Sequence, residues 1–454
     1  MAHVRSCGLS LWCALSCALL CALGFSDPVS AQDADRIWGQ VHTKSGEVHE
    51  GFIRWDGNEV NWVDILGGSK DLPPENYLAW LASRESEGPP VRTIDLLGFR
   101  ISWDEADPDF PATSRSGIRF GHLSSLRVIG RDRVELTLRS GELLELRGSA
   151  VRRTIREVTI DAPGRGELEL DWRDLDWVLF SAVPPGARAP SRRLYGTVED
   201  QRGNRYTGYV SWDRDEIFES DVLDGEDMQG GGDREIRFDE IASIARVPGG
   251  ARIVLVNGNE RDLTGTRDVD GRNRGIGISD PGLGLVEVEW GQFRILRLHE
   301  PEASFGYGTF DGGRLLVGTL VTQSGEEIDG VIRWDADEAA SWEMLNGRAD
   351  DVAFTIEFGK VGRIVRGGAF GATVTLLDGR TFELNGRTFE RNGRTFPLGD
   401  SNDVDWDNKG ILIQPEGARG ANGAASTRWR VIAWDEFREV RFRHDSTGPS
   451  SGLE

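Results

Sequence analysis

Three short acidic turns are the clearest candidates for chemistry in this sequence. Each follows a Trp-Asp pair and places oxygen-bearing side chains close together: Asp56/Asn58/Glu59, Asp213/Asp215/Glu216 and Asp335/Asp337/Glu338. A richer cluster comprises Asp403, Asp405 and Asp407. Such oxygen ligands suit calcium, which extracellular modules often bind weakly. None of the turns combines Gly at position six with Glu at position twelve, so turn closure by Asp and Asn is the favoured interpretation. We therefore expect no cofactor, and leave weak calcium binding at Asp403, Asp405 and Asp407 open.

Tryptophan is the second candidate, since aromatic rings can serve as platforms for sugars. An apolar-x-Trp pair recurs at corresponding places of the repeats, which puts both side chains on one face of a strand: Ile53/Trp55, Leu170/Trp172, Val210/Trp212, Val288/Trp290, Ile332/Trp334 and Ile432/Trp434. Because the partner is always aliphatic, these rings are predicted to fill the core. The less regular Trp62, Trp342 and Trp406 are the predicted ligand-binding rings.

No catalytic arrangement stands out. The chain contains neither HExxH nor GxSxG, and its four cysteines all lie within the first 21 residues. Acidic residues are too numerous for spacing alone to identify a glycosidase pair. We therefore predict that the protein is not an enzyme, with a divergent hydrolase as the least favoured alternative.

These residues are positioned by a cassette that occurs three times, at 39–56, 196–213 and 318–335. Each cassette has Gly at its first, eighth and thirteenth positions and ends in Trp-Asp. Apolar and polar residues alternate for short stretches between Gly, Asn and Asp, which is typical of short, half-buried strands. A second shared phrase, DVDGRNRGIGI (268–278) and DVDWDNKGILI (403–413), occurs in two copies. The pattern predicts an all-β protein of three tandem repeats, each with two halves.

Apolar residues at a spacing of three, as in Phe238, Ile241 and Ile244, predict a single 3₁₀ turn between strands. The glycine pairs Gly46/Gly51, Gly203/Gly208 and Gly325/Gly330 resemble the first Sm motif. That resemblance implies two SH3-like or Sm-like small barrels per repeat; a six-bladed β-propeller is the alternative. The Asn that Sm proteins place near RNA has no equivalent at Phe218 or Ala340, so RNA binding is not implied. The whole arrangement also resembles uncharacterised secreted bacterial repeat proteins.

The predicted boundaries follow from these repeats and from changes in composition. A signal peptide is predicted at 1–31, because an apolar run from Leu9 to Phe25 precedes the small residues Val29-Ser30-Ala31. The remaining segments are repeat 1 at 32–186 (insertion 73–114, second half 131–183), repeat 2 at 194–300 (halves 194–247 and 251–300), repeat 3 at 314–443 (halves 314–367 and 371–443) and a disordered tail at 444–454.

The net charge and the predicted signal peptide limit the possible functions. A formal charge of -22 over 454 residues argues against nucleic acid as a partner. We predict an exported protein, periplasmic or extracellular, with no transmembrane segment in its mature chain. The favoured function is a non-catalytic scaffold or binding protein of the bacterial cell envelope, whose partner is an envelope protein or a glycan. A carbohydrate- or peptidoglycan-binding module is the alternative. Ligand and oligomeric state stay open.

Overall fold

The computed structural model describes residues 30–71, 94–96, 99–101, 113–147, 157–162, 164–386, 388–391, 394–397, 403–404, 408–417 and 429–444. Apart from the short helix α1 (Ala31–Ala34) and four 3₁₀ turns, the regular structure of these residues is antiparallel β-sheet. The prediction of an all-β, repeat-like protein is confirmed. We call 32–186, 194–300 and 314–443 the first, second and third copies. The predicted signal peptide lies outside the described residues except for Ser30 and Ala31.

The strands of the three copies have the following bounds. The first copy contains β1 (Trp38–Thr43), β2 (Val48–Trp55), β3 (Ile65–Asp71), β4 (Ile94–Leu96), β5 (Phe99–Ile101), β6 (Thr113–Arg119), β7 (Leu123–Val128), β8 (Arg133–Leu138), β9 (Leu143–Arg147), β10 (Glu157–Ala162), β11 (Gly166–Asp171) and β12 (Leu175–Phe180). The second contains β13 (Tyr195–Asp200), β14 (Arg205–Ser211), β15 (Val222–Asp227), β16 (Asp233–Arg237), β17 (Ile241–Val247), β18 (Gly250–Leu255), β19 (Glu260–Thr264), β20 (Ile276–Asp280), β21 (Gly284–Val288) and β22 (Phe293–Leu298). The third contains β23 (Val317–Thr322), β24 (Glu327–Arg333), β25 (Met344–Ala349), β26 (Val352–Glu357), β27 (Val361–Arg366), β28 (Gly371–Leu376), β29 (Thr381–Asn385), β30 (Thr388–Arg391), β31 (Arg394–Pro397), β32 (Ile411–Pro415), β33 (Arg430–Ile432) and β34 (Phe437–Phe442).

Strand pairing is equivalent in the three copies. The first copy forms a ten-stranded sheet in the order β11-β10-β2-β1-β12-β7-β8-β9-β3-β6. The second repeats it as β21-β20-β14-β13-β22-β17-β18-β19-β15-β16. The third runs β33-β32-β24-β23-β34-β27-β28-β29-β25-β26, and β21 pairs with β26 to join the last two copies.

The two halves of a copy interlock through these pairings. In the second copy, β13 and β14 of the first half pair with β22 and β20 of the second half. No sheet closes on itself within the described residues. Two separate closed barrels per copy are therefore not confirmed.

Close packing of strands explains the invariant glycines of the cassette. The first and third glycines face each other across the hairpin, as Gly39 does Gly51. A Cβ at Gly39 would lie 2.3 Å from the Leu179 carbonyl oxygen, and one at Gly51 would lie 2.1 Å from that of Asp161. The middle glycine turns the hairpin with a positive φ, 89° at Gly46. The cassette spacing therefore records where neighbouring backbones approach and turn.

The predicted 3₁₀ turns are confirmed in the first halves, at Phe120–His122, Phe238–Glu240 and Phe358–Lys360. The corresponding phrases of the second halves, such as Trp290–Phe293, form hydrogen-bonded turns of another kind. A further 3₁₀ turn, Tyr307–Thr309, lies between the second and third copies.

The three copies meet at one buried joint. Arg119 of the first copy is 1% exposed and donates hydrogen bonds to the carbonyl oxygens of Asp280 (2.7 Å) and Pro281 (3.0 Å) in the second. Its guanidinium also lies 3.2 Å from the carboxylate of Glu357 in the third. Burial alone would raise the pKa of Glu357, but Arg119 and His122 hold it at about 2. The contacts couple the copies into one packed structure.

Among the described residues, no helix is long and apolar enough to cross a bilayer.

Candidate functional site

The Trp-Asp turn has the same backbone in all three copies. The aspartate takes a left-handed conformation, with φ of 46° at Asp56, 46° at Asp213 and 48° at Asp335. The next residue also has a positive φ, so each turn contains two successive left-handed residues, as tight hairpin turns of the primed types require. Asp tolerates this conformation better than most side chains. The recurring Trp-Asp pair is thus explained by backbone geometry.

In the second and third copies the turn also holds the shared DVD phrase in place. The Asp213 carboxylate accepts hydrogen bonds from the backbone N–H of Arg274 (2.5 Å) and from its guanidinium (2.8 Å). The indole of Trp212 donates to the carbonyl oxygen of Asp268 at 2.9 Å. Trp334 makes the same bond to Asp403 at 2.7 Å. The first copy lacks the phrase, and Trp55 Nε1 has no hydrogen-bond partner among the described residues.

A glutamate three residues after the aspartate is the second shared feature. Oε2 of Glu59, Glu216 and Glu338 is buried in every copy and has no hydrogen-bond partner among the described residues. Burial, reinforced by neighbouring carboxylates, raises the pKa of Glu59 to about 8 and that of Glu216 to about 9. The same causes raise the pKa of Glu338, which is 5% exposed.

One of these clusters has the dimensions of a cation site. Single carboxylate oxygens of Asp213, Glu216 and Asp268 lie within 4.8 Å of one another. Arg274, however, already neutralises Asp213 and also pairs with Asp215. In the third copy, Lys70 from the first copy donates to the carbonyl oxygen of Asp337 at 2.5 Å and pairs with the carboxylate of Glu343. A cation would have to compete with these basic groups.

The predicted metal ligands are only partly within the described residues. Asp403 is 2% exposed, and its Oδ2 accepts a hydrogen bond from the backbone N–H of Asn346 at 2.5 Å. This bond fastens the DVD phrase to β25. Asp405 and Asp407 lie outside the described residues, so the predicted calcium cluster stays a prediction.

The predicted ligand-binding tryptophans are not exposed where the structure describes them. Trp62 is fully buried and Trp342 is 2% exposed. Trp62 packs within 4.6 Å of the ring of Tyr307, and its indole donates to the Ala34 carbonyl oxygen. Burial therefore argues against the predicted role of Trp62 and Trp342 as ligand-binding rings, and Tyr307, from outside the first copy, covers Trp62. Trp406 lies outside the described residues.

Of the six paired tryptophans predicted to fill the core, five are buried and Trp172 is half-buried. Burial removes the main support for a row of sugar platforms on equivalent strand faces. A third feature that the copies share, a groove beside the 3₁₀ turn, is the better candidate for a site.

This groove, the 3₁₀ groove, lies between the 3₁₀ turn, the residue seven positions after the cassette tryptophan and the end of the last strand. The same backbone hydrogen bond frames it in each copy, from Gly121 to Trp62 (2.9 Å), from Asp239 to Glu219 (2.9 Å) and from Gly359 to Ser341 (2.6 Å). A buried phenylalanine begins the 3₁₀ turn in each copy (Phe120, Phe238 or Phe358), and Phe238 lines the groove of the second copy. The frame is equivalent, so the contents can be compared directly.

In the first copy, the groove is filled by residues 305–310 of the chain itself. The phenol of Tyr307 donates to the carbonyl oxygen of Leu123 at 2.8 Å. Phe310 is 8% exposed and lies where a Cβ on Gly121 would come within 2.2 Å of its ring. Upstream, the backbone N–H of Phe305 donates to Asp35 at 2.7 Å.

In the third copy, the groove receives a single side chain. His444 Nε2 lies 2.7 Å from the carbonyl oxygen of Val361, the residue equivalent to Leu123. Burial lowers the pKa of His444, opposed by the hydrogen bond to Val361 and reinforced by the nearby Arg314 and Lys360. The imidazole occupies the position that the Tyr307 phenol has in the first copy, as donor to the equivalent carbonyl oxygen. His444 is the first residue of the predicted disordered tail, and residues 445–454 lie outside the described residues.

In the second copy, the groove is an open cleft of about 310 Å³. Tyr195, Phe238 and Leu298 form its apolar surface, and Glu219 lines one side. At its rim, Arg192 pairs with Glu300 at 2.5 Å, and Asp239 is held by Arg237 at 2.7 Å. Burial raises the pKa of Glu219, opposed by Arg192 and reinforced by Glu300 and Asp239. None of the described residues forms an ion pair with Glu219.

Sequence reasoning missed this groove. Residues 301–313 fall outside the predicted repeats, so no site is predicted there. The alternation of Phe305, Tyr307 and Phe310 with glycines was the available signal, since a linker has no need for three aromatic rings.

Comparisons with known proteins add no relative. No protein-family model, curated protein or solved structure matches the chain.

Proposed function

We propose that this chain is a non-catalytic, exported scaffold or binding protein of the bacterial cell envelope. The observation that supports it is the 3₁₀ groove of the second copy, a groove filled from within in the first copy and left open in the second. An equivalent frame holds a protein segment elsewhere in the same molecule, so the open version is suited to binding.

The carboxylates of the open groove argue against catalysis. Glycosidases need two carboxylates acting as acid and as base or nucleophile. Here Asp239 and Glu300 are both held by arginines, and Glu219 is the acid left without an ion-pair partner among the described residues. A single unpaired carboxylate beside an apolar floor suits recognition of a charge.

Export, envelope location and the finer fold belong to the same proposal. Three tandem repeats of two SH3-like or Sm-like barrels, with the six-bladed propeller as the alternative, stay predictions. The apolar run from Leu9 to Phe25 supports export. Expression of the intact chain in a bacterial host, followed by cell fractionation, should place it in the periplasm or medium. Retention in the cytoplasm would contradict this part of the proposal.

A second cleft favours carbohydrate as an alternative ligand. It has a volume of about 650 Å³ and lies on the second copy, with Trp290 in its wall beside Arg246, Arg272, Asp270 and Gln201. Asp270 and Arg272 form a two-bond ion pair. Trp290 is 8% exposed, and the part of its side chain that reaches the cleft lies beside these polar groups. An aromatic wall with a few polar groups is typical of small-ligand sites.

One screen tests both candidates. Purified chain is assayed against a glycan array and sedimented with peptidoglycan, with and without calcium, while released sugars are measured. The proposed function predicts no sugar release; turnover would overturn it. The carbohydrate alternative predicts retention that Trp290→Ala abolishes and that the equivalently placed Trp434→Ala leaves unchanged. Equal retention of both variants would remove the Trp290 cleft as the binding site.

A further inference from the structure

We infer that the 3₁₀ groove of the second copy binds a short segment of a partner protein that presents a basic side chain to Glu219. This inference rests on the proposed function, because it names the partner of a binding protein. It is carried by a comparison of three equivalent grooves within one chain.

The occupants of the first and third grooves place a ring at the same position. In the first copy, residues 305–310 lie in the groove with the Tyr307 ring against Trp62 and its phenol on the Leu123 carbonyl oxygen. In the third copy, His444 supplies a donor to the equivalent carbonyl oxygen, that of Val361. Two unrelated segments thus place a ring with a polar hydrogen at one spot. The equivalent carbonyl in the second copy belongs to Ile241, which lines the open cleft.

The second groove carries a negatively charged side chain beside that position. Glu219 replaces Trp62, the residue that the Tyr307 ring contacts in the first copy. An aromatic phenol there would leave a half-buried carboxylate without a partner, which costs free energy. A guanidinium satisfies both groups, since it carries several donors in a planar fork. A basic residue is therefore the side chain that the second groove fits at the position of Tyr307.

Two further positions of the groove also differ between the first and second copies. Asp35, which accepts from the Phe305 backbone in the first copy, is replaced by Arg192, so the groove now offers a donor where it offered an acceptor. Gly121, which leaves room for Phe310, is replaced by Asp239. A second large ring is therefore disfavoured there. The segment bound by the second copy therefore differs from residues 305–310 in charge and in the size of the side chain at the position of Phe310.

The occupant is a partner protein because backbone and side-chain contacts of this kind are made by a polypeptide in the first copy. Segments of this chain outside the described residues, and a second copy of the chain, are the competing occupants. Either would block the groove against an added peptide, so both are outcomes of the experiment below.

The test uses three fluorescent peptides that copy Ser304–Gly312, SFGYGTFDG, with Phe310→Ala in each, because Asp239 disfavours a large ring at that position. One keeps tyrosine, and the others carry Tyr307→Arg and Tyr307→Glu. Binding to the purified full chain is measured by fluorescence anisotropy. We expect the arginine peptide to bind at least about 10-fold more tightly than the glutamate peptide, a difference of about 1.4 kcal/mol. Tyrosine should fall between them.

Two charge-reversed variants separate the groove from the general acidity of the protein. Glu219→Lys should reverse the order of the arginine and glutamate peptides. Glu235→Lys, on the exposed face of β16 in the same copy, changes the net charge equally and should preserve the order. Circular dichroism of both variants confirms that they remain folded.

Equal affinities, no binding of any peptide, or the same reversal by Glu235→Lys would each overturn the inference. These results are distinguishable from failure of the proposed function. Retention of a glycan or peptidoglycan without peptide binding would keep a binding protein and remove this groove as its site. Release of sugars would remove the proposed function itself.

Discussion

The Trp-Asp turns and the 3₁₀ grooves are both present three times, yet they behave in opposite ways. The turns keep their residues: a fully buried tryptophan, an aspartate with positive φ and a glutamate with a buried, unpartnered oxygen. The grooves keep their backbone and change their side chains, as Trp62, Glu219 and Ser341 show. Residues that recur are those that the fold needs, and residues that differ between copies are those available for recognition. Breaking each region should therefore produce a different kind of defect.

The largest effect is expected from truncation in a turn. Trp212→Ala should reduce the free energy of unfolding by about 3–5 kcal/mol, because it removes a fully buried ring that packs against Phe293 and Trp290. Urea unfolding followed by circular dichroism measures the loss. Trp172→Ala is the control, since that ring is half-buried and should cost less than about 2 kcal/mol. Similar losses for the two variants would show that the turn tryptophan has no special role in the core.

The same variant separates stability from binding. If the turns serve the fold alone, the folded fraction of Trp212→Ala should bind the arginine peptide as the unmodified chain does. A weakened affinity at full folding would mean that the turn also shapes the groove, and the contrast between the two regions would fail.

A smaller effect is expected when one groove is given the residue of another. Gly121→Asp gives the first copy the side chain that the second has at Asp239. Its Cβ would lie 2.2 Å from the Phe310 ring, so the ring must move and a carboxylate becomes buried. We expect a loss of about 2–3 kcal/mol in urea unfolding. The reciprocal Asp239→Gly, in the open groove, should change stability by less than about 1 kcal/mol. Equal effects in the two grooves would contradict the conclusion that one is filled and the other open.

The sequence could predict the turns because their determinants are local. Trp-Asp, the glycine spacing and the period-three phrase around Phe238 each specify a short segment, and the 3₁₀ turn at Phe238–Glu240 is confirmed. The all-β class followed from the same short patterns. The pairing of β14 with β20 joins residues 66 to 70 positions apart (Ser211 with Gly277, Tyr209 with Ser279), so the interlocking of the halves has no local signature.

The candidate site was harder to predict than the fold. Trp62 is a predicted ligand-binding ring because it is less regular than the paired tryptophans. Tyr307, which does cover it, lies 245 residues away (307 minus 62) in a stretch that resembles a linker. The candidate site is the groove that no described segment of the chain fills. The sequence of a single cassette does not show whether a distant segment fills its groove.

The smallest effect is expected from a change of pH. It should alter stability through Glu216 in the turn and peptide binding through Glu219 in the groove. Burial, together with Asp268 and Asp215, raises the pKa of Glu216 to about 9 from an ordinary value near 4.5. Because the folded-state value is the higher one, the protonated group's contribution to stability is fully present below about pH 4.5 and is lost as the pH rises through about 9. Unfolding midpoints in urea between pH 6 and 10 should therefore fall, and Glu216→Gln should flatten that fall while Glu235→Gln does not. Glu219 also has a raised pKa, but its carboxylate lines an open groove, so its ionisation should strengthen binding of the arginine peptide as the pH rises. If Glu216→Gln altered the pH dependence of peptide binding and left that of unfolding unchanged, the assignment of turns to folding and grooves to recognition would be reversed.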